Sequence, residues 1–291
     1  MTDLAPRELR TRERRWATPA GVAAMAGIAF LVGAIVAQQQ LVGAIDGRAE
    51  ALLARDREGT GLLLVAIARA LGYLALIGPL LFLFAAAAAR SDRARGSLIG
   101  LAIAGPVLSA VAVLVGHAAV GEAAADFVAQ GGQAGQDEKA RDVLSEQGVL
   151  GTATGGLGLA GLLALAAISV YSALHGMRTG LLTRFTGTFG MAVGVVMVLP
   201  GITQIAVPIY FLVLGPVLAG WMPGSRPPAW EAGMAVEWPG RGEPVVERRD
   251  DPENVDPPLA SGDDDGAAPA ADEDPSPTPQ GERRRGRKRR R

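Results

Sequence analysis

Apolar residues in this chain come in long unbroken blocks, without the strict alternation of a half-buried strand, and the blocks stop at Trp221. A helix rising 1.5 Å per residue crosses ~30 Å of hydrocarbon in about 20 residues. Residues 18–37, 71–89, 97–120 and 149–171 reach that length without an acidic, lysine or arginine side chain. A fifth run, residues 188–221, holds 34 residues with no charge. As one helix it would be ~51 Å long and would need a tilt beyond the usual range of about 0–40°. It contains VVMVLPGITQI, and Pro-Gly is a turn dipeptide, because Pro fixes φ and Gly accepts positive φ. Broken at Pro200-Gly201, the run yields residues 182–199 and 202–221, with Arg184 close enough to a helix start to snorkel to the headgroups. The pattern predicts an all-α, polytopic membrane helix bundle of six transmembrane helices over residues 17–221. The basic leader, residues 1–16, is long, and no small-x-small site follows it cleanly, so the first block reads as an uncleaved anchor.

Charge sets the expected orientation. Lys and Arg in short flanking loops mark the cytoplasmic side. On the odd-numbered side stand Arg7, Arg10, Arg12, Arg14, Arg15, Arg90, Arg93, Arg95, Arg178 and Arg184, ten bases. The other side has Arg48, Arg55, Arg57, Lys139 and Arg141, five bases, and its second loop adds Glu122, Asp126, Asp137, Glu138, Asp142 and Glu146. This bias puts the N-terminus, and with six spans the C-terminus, in the cytoplasm of a bacterium, with the bundle in the plasma membrane. Trp16 and Trp221 flank the first and last spans on that side, where an indole finds both apolar and polar neighbours.

Beyond Trp221 the composition changes. Residues 222–240 are rich in Pro and Trp, too rich in Pro for a helix, and read either as a segment lying on the inner membrane surface or as a plain linker. Residues 241–291 have the makeup of a disordered tail. Its acidic part, residues 250–274, has ten carboxylates and no base; its end carries Arg283, Arg284, Arg285, Arg287, Lys288, Arg289, Arg290 and Arg291. That run suits anionic lipid headgroups or an acidic protein, or a return onto the tail's own acids. Specific nucleic-acid binding is not expected, since no aromatics interleave the arginines and no folded reader accompanies them.

Candidate chemistry is sparse. There are no cysteines, which removes disulfides and thiol chemistry. No Asp or Glu falls inside a span, which counts against a proton- or sodium-coupled transporter. Arg69, His117 and His175 fall at span ends and read as interfacial polar residues, the two histidines at opposite faces and so unable to share a metal. Pro79, Pro106, Pro208 and Pro216 read as kinks. The glycine pairs Gly96/Gly100, Gly151/Gly155 and Gly190/Gly194 read as intramolecular packing faces, and a homo-oligomer is compatible with them. GTATGGLG lacks the Lys-Ser/Thr of a phosphate loop.

Two stretches carry a resemblance: GMRTGLLTRFTGTFGMAVGV, residues 176–195, and WMPGSRPPAWEAG, residues 221–233. Both resemble a family of uncharacterised actinobacterial multi-pass membrane proteins of unknown function, with Met222 interrupting that family's Trp-Pro pair. The resemblance implies membrane location and the six-span layout, and no activity.

The expectation is a non-enzymatic membrane protein, without cofactor or metal, that works by interaction or by organising the membrane. The alternative is a transporter or channel for a small neutral or weakly polar solute, with Arg69, Thr203 and Gln204 on the solute pathway.

Overall fold

The computed structural model describes residues 6–43, 47–91, 96–146, 148–199, 202–222 and 227–236. Most of these residues are helical, with no strand among them. Four helical stretches are long and apolar enough to cross a membrane, which supports a membrane location. The first is α1 (Pro6–Val42). The second is α3 (Gly59–Ala75) continued by α4 (Ile77–Ala88). The third and fourth are α5 (Ile99–Ala129) and α7 (Gly148–Arg178). Between them lie the short polar helices α2 (Arg48–Arg57) and α6 (Asp137–Ser145). Helices α8 (Arg184–Val196), α9 (Thr203–Ala219) and α10 (Pro228–Ala232) follow.

The long helices overrun their expected spans. At 31 residues each, α5 and α7 are ~46 Å long and project beyond any ~30 Å slab. The overhang of α5 has a purpose. Ala123, Ala124 and Phe127 pack against Ala49 and Leu52 of α2 and Ala140 and Val143 of α6, forming a second small core away from the main one. Asp137 fastens this cap by accepting a hydrogen bond from the Ala49 backbone N–H at 2.9 Å, near the start of α2. Nearby, Arg55 donates to the His117 carbonyl at 2.8 Å. Partial burial there pulls the Arg55 guanidinium below its ordinary pKa.

Pro79 breaks the second stretch. With no N–H to give and a ring that crowds the carbonyl four residues earlier, it ends α3 at Ala75 and restarts the helix at Ile77. Pro106, Pro208 and Pro216 are absorbed inside continuous helices.

The fifth and sixth predicted spans come out shorter than expected. Helix α8 has 13 residues and α9 has 17, ~20 Å and ~25 Å, against 18 and 20 residues expected. The proposed join, Pro200-Gly201, lies outside the described residues. Its flanks nevertheless show that the chain reverses. A Cβ placed on Gly190 would lie 2.7 Å from the Tyr210 ring, whereas an unbroken helix would set those residues about 30 Å apart. Thr203 closes the turn by donating to the Met197 carbonyl at 2.7 Å. The tip is apolar: Val195, Val198, Leu199, Ile202 and Ile205 are all exposed.

Because lipid tails are as apolar as Leu, helices in a bilayer associate through close backbone approach at small residues. Helices α5 and α7 do so at Gly105 and Gly161. A Cβ on Gly161 would sit 2.7 Å from the Ser109 nitrogen, and one on Gly105 2.8 Å from the Leu165 nitrogen. Of the expected glycine faces, Gly190 and Gly194 do pack closely, against Ala173, Tyr210 and Val170. The pair Gly96/Gly100 and Gly155 face open space, so they make no such contact. Gly161→Leu is therefore expected to cost ~1–3 kcal/mol by prying α5 from α7. Gly155→Leu, six residues earlier on the same helix, should leave the unfolding midpoint in detergent nearly unchanged.

Candidate functional site

The most elaborated part of the bundle is the end that carries the leader. Here α1, the end of α4, the link after α7 and the segment after α9 meet. Arg90, two residues past α4, is the hub, with its side chain only 1% exposed. It forms a forked ion pair with Glu13 of α1, whose Oε2 accepts from Nη2 at 2.8 Å. Nη1 also donates to the Ala86 carbonyl at 3.1 Å and Nη2 to the Ala229 carbonyl at 3.0 Å, while Nε is buried without a partner among the described residues. The guanidinium lies over the Trp230 ring, 5.7 Å from its centroid. A planar fork that satisfies a carboxylate and two carbonyls while stacking on an indole is a task for Arg, and Lys could not reproduce it.

Trp230 is the second anchor. Its indole N–H donates to the Leu181 carbonyl at 2.9 Å, and its ring stacks on Phe82 at 5.4 Å with 11° between planes. The segment around it is held at three further points. Arg10 donates to the Glu231 carbonyl at 3.1 Å, the Val236 N–H donates to the Thr179 carbonyl at 3.3 Å, and Ala229 is fully buried. This corrects the expectation that the Pro-rich stretch is non-helical. Pro227 is extended, Pro228 takes the first helical position where its missing N–H costs nothing, and Gly233 ends α10 at φ +69°. Gly180 has φ +76° beside Val236, where a side chain would collide with the Val236 carbonyl.

A groove of 480 Å³ opens between α1 and α4 beside this cluster. Ala20, Ala23, Gly78, Ala85 and Phe82 form its apolar part, and Arg12, Glu13 and Trp16 stand at its mouth. Glu13 thus faces both the groove and Arg90.

Of the three residues expected on a solute pathway, Arg69 and Thr203 make hydrogen bonds to other parts of the bundle. Arg69 donates to Gln38 of α1 at 2.8 Å, not simply snorkelling. Thr203 closes the α8–α9 turn, and Gln204 is exposed. No described hydrogen bond joins the three, and neither this groove nor the 500 Å³ cavity between α1 and α3 is lined by them. His175, expected at the interface, is buried, its ring 4.3 Å from Tyr171. Its Nδ1 and the hydroxyls of Ser169, Ser172 and Tyr210 are buried without a hydrogen-bond partner among the described residues. His117 holds Arg55 through its carbonyl. Among the described residues no group of three His, Cys, Asp or Glu converges as metal ligands would. The arginine run, Arg283 to Arg291, lies outside the described residues.

Sequence reasoning counted Arg90 only as a topology charge and passed over Glu13. One signal was present. Leu9, Glu13, Ala17 and Ala20 share a helical face, so an acid on the buried side of α1 called for a cationic partner. Compared with protein-family models, curated proteins and solved structures, the chain matches none.

Proposed function

We propose that this chain is a non-enzymatic plasma-membrane protein whose bundle serves as a fixed mount for a charge-segregated tail, which contacts the anionic leaflet. The observation that carries this reading is the docking of residues 227–236. A segment that merely linked bundle to tail would need no buried tryptophan, no stacked guanidinium and no backbone bond to the link after α7. Residues 227–236, which precede the tail in the chain, are held on the bundle at the end that carries the basic leader.

In this reading the chain has six spans and both its termini in the cytoplasm. The reversal between α8 and α9 supports an even number of crossings, since it returns the chain to the leader end whether or not the hairpin tip reaches the far surface. The resemblance to actinobacterial membrane proteins fits the same picture. One of its two motifs overlaps the docked segment at residues 227–233, and the other contains Thr183, whose hydroxyl caps α8 by accepting from the Thr186 N–H at 3.0 Å.

The test is removal of residues 283–291 from the full chain. Loss of binding to vesicles with anionic headgroups, with binding to zwitterionic vesicles unchanged, is the expected result. Unchanged membrane distribution and unchanged co-purifying partners would refute the tail's role.

A further inference from the structure

We propose that the groove between α1 and α4 is the binding site of one anionic phospholipid, with an acyl chain against the small-residue walls and the phosphate at Arg12. Three features lead there. The groove lies on the outside of two membrane-long helices and is mostly apolar, so in a bilayer its walls would lose their van der Waals partners unless a chain filled it. Its polar end coincides with Trp16, which is 56% exposed, the kind of residue that marks headgroup level. Charge at that mouth selects the headgroup. Glu13 is neutralised by Arg90, while Arg12 makes no hydrogen bond or ion pair to another described residue. The mouth is therefore net positive and has an unused planar donor set suited to phosphate.

The groove is also a built feature. Ala20, Ala23, Gly78 and Ala85 keep its walls low. Phe82, which forms one wall, is held in place by the Trp230 ring stacked on it. At Gly78 an added Cβ would meet only the Ala23 methyl, at 3.4 Å, so a larger side chain there would enter the groove without moving backbone.

The experiment is a native mass-spectrometric titration of the full-length chain in detergent with phosphatidylglycerol and with phosphatidylcholine of matched chains. One phosphatidylglycerol should be retained about fivefold better than phosphatidylcholine, the selectivity expected of one cation near an anionic headgroup. Arg12→Gln should abolish that preference. Gly78→Leu and Ala85→Phe, which fill the groove from different positions, should each reduce retention of both lipids. Arg14→Gln, outside the groove, and removal of residues 283–291 should change nothing, which keeps this result separate from the tail's role. The proposal is overturned if Arg14→Gln lowers retention as much as Arg12→Gln, for then the charge acts diffusely. It is equally overturned if both groove-filling variants bind as before, or if they alter dimer content and not lipid retention, which would assign the groove to a second copy.

Discussion

Glu13→Ala should destabilise the bundle by about 3–5 kcal/mol, read as a lowered unfolding midpoint in detergent. The size follows from what is left behind. The Arg90 side chain is 1% exposed and carries a full positive charge. Its remaining partners are two carbonyls and the face of Trp230, none of which carries a full negative charge. Removing the acid thus strands a buried cation. Removing both charges is a different matter. A buried ion pair gains little over well-packed apolar residues of similar volume, so Glu13→Leu with Arg90→Leu should recover much of the loss. Recovery will be incomplete, because the Ala229 carbonyl loses its donor. A cost below ~1 kcal/mol for Glu13→Ala would mean that the pair is screened like a surface salt bridge, and would remove it as an organiser of this end.

Why the pair escaped sequence reasoning is instructive. The membrane-long helices were readable because the bilayer imposes one length, and no soluble alternative accounts for four such uncharged blocks. The chain reversal near Pro200-Gly201 was readable because 34 uncharged residues are too long for one crossing. The α5–α7 contact was not. Gly105 and Gly161 are two among 39 glycines, and spacing alone does not say which face has a neighbour. Gly96 and Gly100 match the small-xxx-small pattern equally well and touch nothing. Glu13 and Arg90 are 77 residues apart and meet only through tertiary packing, where no local period speaks. The docked segment was missed for a narrower reason. Proline was weighed as a helix breaker, although at the first helical position it is a helix starter.

The second large effect should come from Trp230→Ala, and it should be local. Replacing a buried tryptophan by alanine costs ~3–5 kcal/mol where the surroundings cannot collapse. Here the ring is 4% exposed, stacks on Phe82, lies under Arg90 and donates to the Leu181 carbonyl, so all of these are lost together. The segment it anchors lies late in the chain, so the bundle can stay folded while residues 227–236 detach. The free energy lost then appears as a larger detached population, and cleavage that follows detachment rises with it, by roughly a hundredfold for ~3 kcal/mol. Limited digestion with a glutamate-specific endoproteinase, scored at the Glu231–Ala232 bond inside the docked segment, measures this directly, with far-UV circular dichroism to show that the helices persist. Trp230→Phe separates the contributions: it keeps an aromatic face for Phe82 and Arg90 but gives up the donor to Leu181, so its cleavage rate should fall between wild type and alanine. If alanine leaves the rate unchanged, the Val236–Thr179 and Arg10–Glu231 bonds hold the segment without the indole, and the groove wall at Phe82 loses its support from the tail side.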